Sequence, residues 1–195
     1  MKLRVSREAL LKPLQQVAGV VERRQTLPVL SNVLLQVEGN VLSLTGTDLE
    51  VEMVARVPLI EGEGGEVTVP ARKLMDICRE LPDKAEIELL LVGQRLTVKA
   101  GRFRSTLSTL PAEDFPTVEK SIAEMSTRID SKSLKRLLDR TAFAMAQQDV
   151  RYFLNGMLIE MGGDYVKTVA TDGHRLAMSN LKLAEPRVDS RQVIV

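Results

Sequence analysis

Shifted against itself by 124 residues, the sequence matches without a gap: Arg4-Val5-Ser6 falls on Arg128-Ile129-Asp130, Leu10 on Leu134 and Leu14 on Leu138. Val33-Leu34-Leu35-Gln36-Val37 falls on Met157-Leu158-Ile159-Glu160-Met161, and Thr47-Asp48 falls on Thr171-Asp172. A period this long means tandem domains, not a solenoid of short repeats. Residues 1–120 therefore read as one domain and residues 121–195 as an incomplete second one.

Each domain divides again. Val5 precedes a helical stretch with Leu10, Leu11, Leu14 and Val17 on one face. Ser6 suits its N-cap, and Pro13 inside it predicts a kink or strain. Strand-like runs follow at Leu30 to Val37, Val41 to Thr45 and Val51 to Leu59, with Glu38-Gly39-Asn40 as a hairpin turn. The pattern restarts with Val67 to Val69, and Pro70 suits the first turn of the next helix. Leu74, Met75, Ile77 and Cys78 give that helix an apolar side. Ile87 to Val92, Arg95 to Ala100 and Phe103 to Leu110 then read as strands.

The half-unit is thus strand, helix, three strands, starting near Val5, Val69 and Ile129. Val193-Ile194-Val195 reads as the first strand of a fourth copy. Pro111 to Met125 reads as the connection between domains. Alone, a half-unit leaves a sheet edge and a helix face uncovered. Two of them are expected to set their helices side by side on one face of a continuous antiparallel sheet, giving an α+β fold. Lacking such a partner, residues 126–195 are expected to be less stable alone than residues 1–120.

Composition narrows the function. The chain is 44% apolar and 27% charged, as soluble globular domains are. No apolar run reaches the ~18 residues of a membrane span, and the N-terminus lacks the apolar core of a signal peptide. A cytoplasmic, reducing location without membrane contact is the reading. The one cysteine, Cys78, and one histidine, His174, exclude a disulfide framework and a Cys-rich or multi-His metal centre. No cofactor is expected. Aromatics are only 3%, which disfavours a stacking platform for single strands. The net charge of +1 means that any polyanion binding must come from local placement.

Seven stretches in register, LLKPLQQV, TLPVLSN, LSLTGTDLE, VPARK, STLPAEDFP, QDVRYFLNGM and VATDGHRLA, resemble the bacterial sliding clamp family, the beta subunit of DNA polymerase III. The resemblance runs from Met1 to Val195, and the 124-residue repeat agrees with a family built of similar tandem domains. It implies the DNA-clamp fold, with antiparallel sheets outside and helices lining the inner face. It implies a non-catalytic processivity factor in DNA replication. Two full-length chains close head to tail as a homodimeric ring on duplex DNA, without reading its sequence. Implied partners are the polymerase III catalytic subunit, the clamp loader and other proteins carrying a clamp-binding motif. Against that pattern this chain carries the first domain and just over half the second. It is read as a clamp fragment that does not close a ring alone.

Sliding asks for phosphate contact without base readout. Helix-borne Arg7, Lys12, Arg72, Lys73, Lys132, Lys135, Arg136 and Arg140 are candidates, and a solvated helix face is the competing account of each. The family's direct DNA contacts map to Arg24 in the first domain and to Gln148, Arg151, Tyr152 and Phe153 in the second. Arg24 and Gln148 occupy the same place in the repeat. Phe153 stands where many members have Tyr, so a stacking face is kept and a hydroxyl is lost.

The family's partner-peptide pocket maps to Leu154, Thr171, Gly173, His174, Arg175 and Leu176. Leu154 and Leu176 supply apolar surface, Gly173 a close backbone approach, and His174 and Arg175 donors. The ring interface maps to Lys73, Arg102, Phe103, Arg104 and Leu107. The usual order there is Arg-Ser-Arg-Phe, so the aromatic has moved two positions, which keeps it on the same strand face. An ordinary charged edge strand is the alternative.

Two other functions fit parts of the sequence. Asp172 and His174 beside a Ser or Thr could suggest a hydrolase. However, there is no nucleophile elbow, and the first copy, Thr47-Asp48-Leu49-Glu50, has no histidine, so Thr-Asp reads as a turn. The remaining alternative is an interaction fragment that binds partner peptides without encircling DNA.

Overall fold

The structure, a computed structural model, describes residues 1–21, 27–116 and 127–195, with the backbone alone for 185–189. The chain divides into two compact units, Met1–Lys120 and Ser121–Val195.

In the first unit, β1 (Lys2–Ser6) runs directly into α1 (Arg7–Val17). Ser6 Oγ accepts the Ala9 N–H at 3.2 Å, the expected N-cap. Leu10, Leu14 and Val17 are buried, and the helix continues through Pro13. A meander follows: β2 (Asn32–Glu38), β3 (Val41–Thr47) and β4 (Glu52–Pro58), the first two joined at Gly39 with φ +57°. After the short β5 (Glu61–Glu63) come β6 (Gly65–Pro70), α2 (Ala71–Glu80) and a second meander, β7 (Glu86–Val92), β8 (Arg95–Ala100) and β9 (Phe103–Ser108).

The sheets correct one expectation. Among the described residues there is no single continuous sheet, and neither half closes on its own strands. One sheet has the order β5-β1-β7-β8-β9 and the other β4-β3-β2-β6. β1 pairs with β7, from Lys2 opposite Leu90 to Ser6 opposite Glu86. β6 pairs with β2, with Val33 opposite Val69. Each half thus completes its meander with the other half's first strand. The reason is edge cover: β2 is buried from Asn32 to Leu35, and as an edge it would leave a row of buried backbone groups unpaired. The outer edge of β6 is met in turn by Leu110, which exchanges two backbone hydrogen bonds with Thr68. Thr68 Oγ1 accepts from the Asn32 amide at 2.9 Å and donates to Leu110 O at 3.0 Å. Both helices and both sheets share one core, including Leu10, Leu14, Leu35, Leu74, Leu89 and Leu96.

In the second unit, Asp130 Oδ2 accepts the Ser133 N–H at 2.9 Å and caps α3 (Ser131–Asp139), as Ser6 caps α1 one repeat earlier. Residues 127–130 are not a strand, contrary to the half-unit reading at Ile129. β10 (Leu158–Thr171) and β11 (Leu176–Ile194) pair antiparallel. β10 turns back on itself at Gly163, whose φ of +56° repeats that of Gly39. Seven extended residues would span about 23 Å, yet Glu160 and Lys167 meet at 2.8 Å. Leu158 and Ile159 lie opposite Ile194 and Val193, so the last residues join the sheet as β6 joins β2, as expected of a fourth first strand. A small core forms around Leu137, Val166 and Leu183. Among the described residues no helix is long and apolar enough to cross a membrane.

Candidate functional site

Two loops of the second unit hold most of the predicted residues. The first follows β10. Asp172 Oδ1 accepts the backbone N–H groups of His174 and Arg175, each at 2.9 Å, and Oδ2 accepts Arg175 Nε at 3.0 Å. Thr171 Oγ1 accepts the Gly173 N–H at 3.1 Å and donates to Arg175 O at 2.7 Å. The backbone N–H of His174, then that of Arg175, holds the Asp172 carboxyl below its ordinary range. The first unit repeats the arrangement. Asp48 Oδ1 accepts from Glu50 and Val51, and Thr47 Oγ1 from Leu49. Leu49 has φ 80° where Gly173 has φ 88°. The Thr-Asp pair therefore builds a turn in both copies, as the repeat suggested. Asp172 meets the main chain of His174, which is the wrong partner for a hydrolytic dyad.

This turn presents His174, Arg175 and Leu176 to solvent. Arg175 lies over the Phe143 ring, 5.6 Å from its centroid. Leu176 and Met178 are exposed apolar residues beside it in sequence, and Leu154 is half-buried.

The second loop runs from Ala146 to Asn155. Its neck is closed by Ala146 N–H donating to Leu154 O at 2.9 Å and Leu154 N–H donating to Arg151 O at 2.8 Å. Asp149 and Asn155 lock each other: Asp149 N–H donates to Asn155 Oδ1 at 2.9 Å, and Asn155 Nδ2 donates to Asp149 O at 3.0 Å. Gln148 adopts φ +58°. At the tip, Tyr152 is 83% exposed and Phe153 50%, their rings edge-on at 6.1 Å. The two loops meet: a methyl group placed on Gly173 would lie 3.5 Å from Arg151 Nη2. Sequence reasoning missed Asp149, Asn155 and Phe143. An Asp two residues before an Arg in a polar loop was the available signal for Asp149.

The remaining predicted residues are scattered. Arg24 lies outside the described residues. Arg102, Phe103 and Arg104 are exposed at the start of β9, the edge strand of its sheet, and Lys73 is exposed on α2. Leu107, the fifth residue of the interface reading, faces the other way. It is 5% exposed and packs in the core, because β9 turns alternate side chains inward. Arg7 corrects the phosphate-contact reading. Its Nε donates to Cys78 O at 3.0 Å, Nη2 to Arg79 O at 3.1 Å and Nη1 to Asp83 Oδ1 at 2.7 Å. It ties the start of α1 to the end of α2. Lys135 is paired with Asp139 at 2.6 Å, and Arg72 reaches Val21 O at 3.5 Å. Lys12, Lys132, Arg136 and Arg140 are exposed on or just beyond the helices. Among the described residues no cluster of His, Cys, Asp or Glu could hold a metal.

Comparison with known proteins places these features. Residues 1–119 match the family model of the DNA polymerase III beta subunit, N-terminal domain, and residues 128–195 match that of its central domain. The chain is 64% identical to the beta sliding clamp of Pseudomonas aeruginosa and 55% identical to that of Escherichia coli K12, each over all of this chain and 53% of the relative. A crystal structure of the Pseudomonas aeruginosa DNA polymerase III beta subunit superposes with a TM-score of 0.97 at 64% identity, again over 100% of this chain and 53% of that one. The chain spans about half the length of the curated relatives it matches.

Proposed function

This chain belongs to the DNA polymerase III beta-subunit family, and from that membership we propose that it serves as part of a replication sliding clamp. The observation that carries the proposal is the match of two successive clamp domain models to almost the whole chain, in the order that its repeat requires. In this reading the whole ring encircles duplex DNA as a head-to-tail homodimer. It tethers the polymerase III catalytic subunit, admits the clamp loader and performs no chemistry. Its place is the cytoplasm.

Three surfaces divide the work. The loop tip, with Gln148, Tyr152 and Phe153, touches the duplex, together with Arg24 of the first unit. Exposed Lys12, Lys132, Arg136 and Arg140 supply phosphate contacts that carry no sequence information. The turn at Thr171–Leu176, with Leu154, forms one wall of a groove for short apolar partner peptides. The start of β9, with Arg102, Phe103 and Arg104, forms one side of the ring interface together with Lys73 of α2. An edge strand suits that role, since its free backbone groups can extend a sheet across two subunits.

The test is duplex binding by this chain over a salt series, measured by fluorescence anisotropy on two duplexes of unrelated sequence. The expected result is weak binding, equal on both, that falls linearly in log K against log salt. Peptide binding with no duplex binding at low salt would overturn the DNA reading and leave an interaction module.

A further inference from the structure

The family resemblance counts Arg151 among the DNA contacts, yet its guanidinium is already engaged. Asp149 Oδ1 accepts both the Arg151 backbone N–H at 2.8 Å and Nε at 3.0 Å, and Oδ2 accepts Nη2 at 2.9 Å. An exposed ion pair between near neighbours normally does little. Three further facts set this one apart. The carboxylate is only 22% exposed. The fork is bidentate, which fixes the guanidinium plane as well as its charge. The backbone of Asp149 is itself held by Asn155 at both its N–H and its C=O. The same guanidinium lies against the first loop, with both terminal nitrogens within 3.7 Å of where a Gly173 Cβ would be.

We propose that Asp149 is a positioning residue: it fixes the Arg151 guanidinium across the loop and onto the Gly173 turn, so that Arg151 is a strut between the two surfaces and not a phosphate contact. The outward contacts of the loop then fall to Gln148, Tyr152 and Phe153. The loop and the turn become one element, and a peptide that shifts His174 or Arg175 shifts the aromatic tip. Lysine could not replace Arg151, because a point charge has no plane to orient. The part of this inference that concerns DNA rests on the proposed clamp function. The strut itself does not.

The experiment compares the unaltered chain with Arg151→Gln, Arg151→Lys and Asp149→Asn by two readouts. One is the salt slope of duplex binding. The other is the amide NMR spectrum, in which β10 and β11 report that the second unit is folded. For a strut, all three variants shift the Gly173 and His174 amides and disorder residues 150–153, while the slope stays at its original value. For a phosphate contact, Arg151→Gln lowers the slope by about 0.9, Arg151→Lys restores it, and Asp149→Asn tightens binding by releasing a cation. Any such loss of slope overturns the proposal, whatever the amides do. If the unaltered chain binds no duplex, the clamp reading fails. The strut is then decided by the amides alone, and unmoved Gly173 and His174 signals refute it. Should one variant unfold the unit, the other two carry the same comparison.

Discussion

Replacing Arg7 by methionine keeps most of the aliphatic stem and removes every polar contact of the guanidinium. Two of its three partners are carbonyls in the last turn of α2, Cys78 O and Arg79 O, which have no acceptor role left inside the helix. The third is Asp83, whose side chain is 87% exposed. Hydrogen bonds from a charged donor contribute ~1.5–3 kcal/mol when sheltered, and less at the surface. A cation at a helix C-terminus adds ~0.3–1 kcal/mol, and an exposed ion pair ~0.2–1 kcal/mol. The carbonyls should therefore dominate. Arg7→Met is expected to destabilise the first unit by about 2–4 kcal/mol, and Asp83→Asn by no more than ~1 kcal/mol.

The assay is native-state hydrogen exchange at Leu35 and Leu89, which reports opening of the first unit separately from the second. Repeating it in 1 M salt should remove the Asp83 effect and leave most of the Arg7 effect, since sheltered contacts are weakly screened. Equal losses for Arg7→Met and Asp83→Asn would refute the carbonyl argument. So would a loss below about 1 kcal/mol for Arg7→Met.

Leu49→Gly should stabilise the first unit by about 0.5–1 kcal/mol, the relief of a left-handed leucine less the entropy of glycine. The reverse change in the second copy, Gly173→Ala, should destabilise, and thermal unfolding of both variants checks the pair. The Arg151 side chain and its N–H hold the Asp149 carboxyl down at about 2. Because its folded pKa is depressed, the loop keeps this support above the ordinary carboxylate pKa of ~4 and loses it as pH falls through about 2. The amides of Val150 and Arg151 should titrate with the lower midpoint, and a midpoint near 4 would contradict the fork. Burial pushes the Cys78 thiol up to about 12, so iodoacetamide at pH 8 should modify it only as fast as the unit opens, and urea should accelerate the reaction. Labelling at the rate of a free thiol would show the helix to be open.

Much of this was readable in the residues. The repeat carries the Thr-Asp turn twice, and Ser6 and Asp130 stand at the same cap, because local hydrogen bonding is encoded within three or four positions. Gly39 and Gly163 likewise mark the same turn. The exchange of β1 and β6 was not readable, since Leu3 and Val5 alternate in the same way whichever sheet receives them. The burial of Leu107 was unreadable for a related reason: a motif carries a residue to its strand but not to the face it turns toward. Arg7 looked like a free cation because its partners, Asp83 and the α2 carbonyls, lie more than seventy residues away and appear only once the chain has folded. Tertiary pairing of this kind leaves no spacing to read.

The exchanged strands also govern the order in which the molecule can be made. On a ribosome, Leu3 and Val5 emerge ahead of the rest of the first unit's core, yet their neighbours on β7, Leu89 and Ile87, lie more than eighty residues downstream. At ~5–20 residues per second, that interval is about 4–17 s of synthesis during which the edge of β1 that β7 will cover stays open, with only the three-residue β5 available to pair its other edge. The first meander can form meanwhile, but it waits for β6 to cover β2. Neither half can be finished early, so the first unit must close in one late, concerted step, and a nascent chain stalled before Glu86 would expose β1 to any other sheet edge within reach.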